Sequence, residues 1–280
     1  MKLSTRFSPV ALGKSYRLDF VANTTLTTDN KAIKTTVIIK QAMAITGMFF
    51  VGFVILHAYG NLKVFSGATV YNDYALHLRT FLMPILPYEG LLWILRVLLV
   101  VFALVHIISA MALWHRAGLA RGSRYMVKKS LATAYAGRTV RWGGIILLLF
   151  LIFHISHFTL KLAKVGDAAA YASHQVFLDP AGNVVDAAGP GIISVMEGNP
   201  YAMMFTTFSN WWMVLIYAIA VGALCLHIAH GVWSALQTIG WLRRNTQYTV
   251  QIISGLVGLL VFAMFLAPPV AILAGMPMLA

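Results

Sequence analysis

Apolar residues run through this chain in five long blocks. Residues 36–62, 90–115, 142–164, 205–239 and 248–274 are each dominated by Leu, Ile, Val, Phe, Ala and Met. Each reaches the ~20 residues that a helix rising about 1.5 Å per residue needs to cross a bilayer. Each block therefore predicts a membrane-spanning helix. The loop 165–204 between the third and fourth blocks is polar, and its HQVFLDPAGNVVDAAG stretch holds two short β-prone runs around Asp179–Asn183. That pattern predicts a small hairpin capping one face of the bundle. The expected fold class is all-α: a five-transmembrane-helix bundle over 36–280, preceded by an N-terminal arm over 1–35. The arm lacks an apolar core of about 7–15 residues before a small-residue cleavage site, so it does not read as a cleaved signal peptide.

Composition excludes a separate soluble domain. The chain has 280 residues, 60% hydrophobic and only 10% charged, with a mean hydropathy of +0.79. The net charge of +13 is a topology signal. Basic residues gather before the first block (Lys2, Arg6, Lys14, Arg17), in the 116–141 loop and at Arg243 and Arg244, while six of the eight acids (Asp73, Glu89, Asp167, Asp179, Asp186, Glu197) fall in the opposite loops. The positive-inside rule then puts the N-terminus in the cytoplasm and the C-terminus outside, in a multi-pass protein of the cytoplasmic membrane. Trp93, Trp114, Trp142, Trp211, Trp212 and Trp241 sit near span ends, where amphipathic rings favour the interface. The basic loops fit anionic lipid headgroups or a docked cytoplasmic partner. Nucleic acid is not expected, because the charges flank spans and lack stacking aromatics.

The chemistry lies in the histidines. Four of the five blocks contain at least one: His57, His106, the pair His154 and His157, and the pair His227 and His230. An ionisable group inside a span is costly and marks a functional site. Counting along each helix, His57 and the His154/His157 pair fall in the outer half of the membrane, and His106 and the His227/His230 pair in the inner half. Each level thus draws histidines from two helices. Two neutral imidazoles with no other donor suit the axial positions of a b-type haem lying between helices, so two haem b groups are expected. Zinc or di-iron would call for carboxylates or cysteines nearby. The single cysteine, Cys225, rules out covalent haem attachment and iron–sulfur ligation. A histidine-lined transporter or proton channel without haem is the reading from a different class. Gly47, Gly52, Gly143, Gly144, Gly222 and Gly231 offer room for a ring or a close helix. Haem propionates need cations, for which Lys63, Arg79, Arg96, Lys161 and Lys164 stand on the outer side and Arg116, Arg138 and Arg141 on the inner. Arg96, within the second block, requires a counter-charge.

The stretches MAITGMFFVGFVILHAYGNLKVF, PILPYEGLLWILRVLLVVFALVHIISA, GGIILLLFLIFHISHF and LCLHIAHGVWSALQTIG resemble the four histidine-bearing helices of the dihaem cytochrome b membrane anchor of succinate:quinone oxidoreductases, in particular its actinobacterial-type members. The resemblance covers about residues 38–245. It implies that His57 and His154 ligate the outer haem and His106 and His227 the inner one. It also implies partners, a flavoprotein subunit and an iron–sulfur subunit on the cytoplasmic side, and a membrane quinone, menaquinone or ubiquinone, as electron acceptor, in an assembly able to form a higher oligomer. Asn61, Lys63, Arg79, Tyr88, Trp93 and Arg96 become quinone-side or propionate-side candidates, and His230 a donor near a propionate, a carbonyl or a quinone. Cys225 stands where some fumarate-reducing members carry a glutamate used for proton movement. A quinol:fumarate reductase anchor and the cytochrome b of a formate dehydrogenase or hydrogenase are the neighbouring alternatives.

Overall fold

The computed structural model describes the backbone of residues 19–120 and 131–279, and the side chains of 35–120 and 140–279. Lys2, Arg6, Lys14 and Arg17, the Arg138 side chain and the centre of the basic 116–141 loop lie outside these residues. The fold is mainly helical, with seven α-helices among the described residues: α1 (Asp19–Leu62), α2 (Ala68–Thr80), α3 (Gly90–Leu119), α4 (Leu131–His154), α5 (Pro200–Phe208), α6 (Trp211–Ile239) and α7 (Gln247–Leu273). Five segments are long and apolar enough to cross a membrane: Thr35–Ser66, Gly90–Leu119, Val140–Thr159, Trp211–Ile239 and Gln247–Leu273. Their apolar side chains point outward in numbers that water does not tolerate: on α3 only Ser109 is buried, and Ile108 and Met111 are 63% and 62% exposed. Such faces are stable in hydrocarbon, which makes this a multi-pass membrane protein.

α1 packs against α3, α6 and α7, and α6 packs against α4 and α7. The ring of Phe49 on α1 meets Phe102 on α3 edge-on at 4.7 Å. At Gly258 on α7 a Cβ would lie 2.6 Å from the Cys225 carbonyl oxygen of α6, so those two backbones meet at a contact only glycine allows.

Four boundaries differ from the sequence reading. α1 starts at Asp19, well before its apolar run, because no proline or glycine interrupts residues 19–46. The loop before α3 contains α2, whose mixed polar sequence carries no span-length signal. The fourth block, expected to begin at 205, is split into α5 and α6: Ser209 Oγ donates to Phe205 O at 2.7 Å and Asn210 Nδ2 to Thr206 O at 2.9 Å. These side chains take over carbonyls of the preceding turn and end the helix. The third block, expected to reach 164, leaves α-helix at His154 for a π-helical turn over Ile155–Thr159, closed by Leu160 N–H donating to Ile155 O at 2.8 Å.

The expected hairpin is present, as β1 (Ser173–Leu178) and β2 (Val184–Val185), around a turn in which Asp179 Oδ1 accepts from Ala181 N at 2.9 Å and Asn183 N at 2.8 Å. It belongs to a three-stranded antiparallel sheet of order β2-β1-β3, whose longer pairing is with β3 (Ile193–Gly198). This sheet, α2 and α5 form a cap over one end of the bundle. The best-packed core lies beneath it, where Val64, Tyr71, Tyr201, Met204, Phe205, Phe208, Met213, Tyr217 and Ile272 cluster. The last described residues return there, with Leu279 N–H donating to Tyr201 Oη at 2.9 Å.

Candidate functional site

The four helices that carry histidines bring them together as two pairs. His57 near the end of α1 faces His154 at the end of α4, ring centroids 5.9 Å apart and planes at 78°. His106 on α3 faces His227 on α6 at 6.2 Å and 60°. The first pair lies on the cap side and the second toward the opposite end. Among the described residues α1 and α4 share no extended packing, nor do α3 and α6, so each pair spans a gap between helices. Two imidazoles binding one metal from opposite sides, with metal–nitrogen bonds of about 2 Å, hold their ring centroids about 6 Å apart. Both pairs have that spacing. No group of three or more His, Cys, Asp or Glu able to hold an ion gathers among the described residues, so each pair offers two histidine donors.

Glycines shape the far-side pair. A Cβ at Gly47 would lie 3.2 Å from His106 Cε1, and one at Gly144 would lie 3.9 Å from His227 Cε1. A Cβ at Gly143 would meet Ala223 O of α6 at 3.8 Å, an ordinary contact, and at Gly52 and Gly231 it would meet nothing within 4 Å. His106 Nδ1 is 3.1 Å from Met43 O and 3.2 Å from Thr46 Oγ1. The Thr46 hydroxyl itself donates to Ala42 O at 2.8 Å. His106 Nδ1 thus carries the proton, leaving Nε2 as the free lone pair, the arrangement a metal-binding histidine requires. His227 Nδ1 is buried with no hydrogen-bond partner.

Within the two His-x-x-His motifs the rings differ in their surroundings. Both ring nitrogens of the fully buried His157 are engaged: Nδ1 with Tyr217 Oη at 3.3 Å, and Nε2 with Tyr171 Oη at 2.8 Å and Thr207 Oγ1 at 3.2 Å. His154 uses only Nδ1, with Tyr217 Oη at 3.3 Å. His230 packs edge-on against Trp233, centroids 5.8 Å apart, and makes no hydrogen bond among the described residues. The donor role expected of it has no protein acceptor there.

The polar candidates divide into two groups. Arg79, Tyr88, Trp93 and Arg96 gather around two acids from different elements. Arg79 Nε donates to Glu89 Oε1 at 3.2 Å and Arg79 Nη1 pairs with Glu197 Oε2 at 3.1 Å. Arg96 Nη1 pairs with Glu89 Oε2 at 2.8 Å, supplying the counter-charge expected for it, and its guanidinium lies 5.0 Å over the Trp93 ring. Tyr88 donates to Glu197, and burial followed by that acid's hydrogen bond and charge pushes its phenol above the ordinary range. The cluster ties α2, the α2–α3 loop, α3 and β3 together. Asn61 and Lys63 stand apart at the end of α1, where Lys63 Nζ lies 5.2 Å over Tyr59 and 5.1 Å over Tyr74. Of the other cations, Lys161 donates to Ser173 Oγ at 3.2 Å, Arg116 donates to Thr36 Oγ1 at 2.8 Å and Arg141 lies 5.7 Å over Trp114.

Burial alone would raise the Glu89 carboxyl, but the Arg96 hydrogen bond and the charges of Arg96 and Arg79 outweigh it and hold the pKa below its ordinary value. A depressed carboxyl contributes stability above its unfolded-state pKa and loses it as pH falls through the folded-state value. The thermal midpoint of the cap is therefore expected to drop on acidification below the ordinary glutamate range. In Glu89→Gln that acid-dependent component should vanish, which melting curves across pH would test.

Sequence reasoning passed over Tyr217, Tyr171, Thr207 and the structural part of Glu197. A signal for Tyr217 existed: a hydroxyl in the middle of an apolar span needs a buried partner. No protein-family model, curated protein or solved structure matches the chain.

Proposed function

We propose that this protein is the dihaem cytochrome b membrane subunit of a succinate:quinone oxidoreductase, linking succinate oxidation in a partner flavoprotein and iron–sulfur subunit to reduction of a membrane quinone. The observation that carries this reading is the pairing of His57 with His154 and of His106 with His227, at 5.9 and 6.2 Å, across helices that share no extended packing among the described residues. Haem b, when bound, supplies one-electron chemistry at each of the two levels. The chain does the rest. His57 with His154 and His106 with His227 would hold the two groups, one pair at each level, an arrangement that would suit electron transfer rather than binding of oxygen or substrate. Met43 and Thr46 fix the tautomer of His106. The surrounding Phe50, Phe53, Phe150 and Phe265 rings, all with centroids about 6 Å or less from a ligand ring, keep water out. On the cap side, Arg79 and Arg96, paired with Glu89 and Glu197, and the rings of Tyr88 and Trp93 form a polar and aromatic corner suited to hydrogen-bond and stack on a quinone headgroup. The basic residues at the opposite end face the partner subunits.

The deciding experiment is a reduced-minus-oxidised spectrum of the purified protein with a pyridine haemochrome assay. A b-type α band and two haems per chain are expected; a protein without either overturns the reading and leaves a histidine-lined transporter. Co-purification of a flavoprotein carrying covalent FAD separates this complex from a formate dehydrogenase or hydrogenase, in which a molybdenum or nickel–iron subunit appears instead.

A further inference from the structure

We propose that Tyr217 is the positioning residue for the cap-side ligand His154, and that His157 is the buried hub that orients Tyr217. The inference rests on the reading of His154 as a haem ligand. A histidine that ligates through Nε2 carries its proton on Nδ1. His154 Nδ1–H then donates to Tyr217 Oη at 3.3 Å, and the phenol's own hydrogen goes to His157 Nδ1, also at 3.3 Å. That fixes His157 as the Nε2–H tautomer, whose proton is shared between Tyr171 Oη at 2.8 Å and Thr207 Oγ1 at 3.2 Å. Tyr171 in turn donates to Val165 O at 3.1 Å, and its oxygen accepts from Val165 N–H at the same distance. From His154 through Tyr217, His157 and Tyr171 to the Val165 carbonyl each donor has an acceptor further along, and Val165 N–H donates back to the Tyr171 hydroxyl to anchor the end of the line on the loop under the cap.

The surroundings hold the line in place. His157 and Thr207 are fully buried, Tyr171 is 4% exposed and Tyr217 7%. In such an interior a chain of hydrogen bonds is mutually strengthening and a broken one is costly. The π-helical turn at Ile155–Thr159 belongs to the same device. It puts an extra residue into the turn after His154, so His157 leaves the helix on a different face from the one α-helical spacing would give, toward Tyr171 and Thr207. π-turns recur at functional sites for this kind of re-aiming. The far-side pair has no counterpart: His106 is fixed by Met43 and Thr46 of α1, and His227 Nδ1 has no partner. The two levels are thus given unequal ligand fields by their own side chains.

The test is a redox titration and low-temperature electron paramagnetic resonance of the haem-loaded protein. In Tyr217→Phe, His154 Nδ1–H loses its acceptor and the imidazole becomes a poorer electron donor. One haem midpoint potential is expected to move upward and its oxidised resonance to change as the ring is freed, with the other haem unmoved. His157→Leu, which removes the acceptor for the Tyr217 hydroxyl, should move the same haem in the same direction, and His157→Asn, which restores an acceptor, should bring it back toward wild type. An unmoved cap-side haem in Tyr217→Phe overturns the proposal; were that variant not to fold, an unmoved haem in His157→Leu does so. Wild-type protein without haem would instead end the reading of the site itself, so the two failures are told apart.

Discussion

Replacing His154 with alanine is expected to cut the haem content of the purified protein from two per chain to one, with the loss confined to the cap-side site. The same follows for His57→Ala, since the two rings face each other at 5.9 Å and either substitution removes one of the two donors at that level. His106→Ala or His227→Ala should remove the other haem in the same way. His157→Ala and His230→Ala are expected to keep both. His157 has both nitrogens committed to Tyr217, Tyr171 and Thr207, while the ring contact of His230 among the described residues is with Trp233. Haemochrome quantitation on the purified variants decides the matter, and loss of a haem in either of the last two would show that the wrong member of that motif was assigned as ligand.

The second large effect comes from a residue with no chemistry of its own. Gly258→Val is expected to lose the far-side haem and to destabilise the bundle by about 1–3 kcal/mol, the usual cost of overpacking a tight interior. A Cβ at position 258 would lie 2.6 Å from Cys225 O and 3.4 Å from Ala229 N. Backbone cannot yield as a flexible side chain can, so α6 and α7 must separate. The displaced atoms flank His227 in the chain, and its 6.2 Å spacing from His106 has little slack for ligation. Gly255→Val, three residues earlier on the same helix with nothing within 4 Å, is the control and should keep both haems. Equal loss in the two variants would remove the α6–α7 contact from the account.

Particular residues show why some features were legible in the chain and others were not. Membrane spans are continuous apolar blocks, and the requirement that every backbone polar group be satisfied in hydrocarbon leaves helices as their form. The five blocks and the depth of each histidine along them could therefore be read directly. The hairpin at Asp179–Asn183 was equally readable, because an Asp that accepts from the backbone two and four residues on is a local device. The break at Ser209–Asn210 was not. Both residues are compatible with a continuing apolar helix, and only their bonds back to Phe205 and Thr206 end it. The polar corner was half legible: Arg96 announced its need for a counter-charge, but the fold had to bring Glu89 to it and Glu197, from β3, to Arg79.

The sequence by itself determined the five membrane helices, the placing of histidines at two depths and the shortage of other metal donors, since all of these depend on residue type and on position along one helix. The tertiary structure brings His57 to His154 and His106 to His227, and engages both nitrogens of His157 while His154 uses one. His154 and His157 have the same neighbours in sequence and differ by one turn. What separates them is Tyr171 and Thr207, brought from the cap loop and α5 to engage one ring, and a π-helical turn that aims it at them. Hydrogen-bond partners that come from distant segments leave no periodic trace in a sequence, so only packing could show that difference.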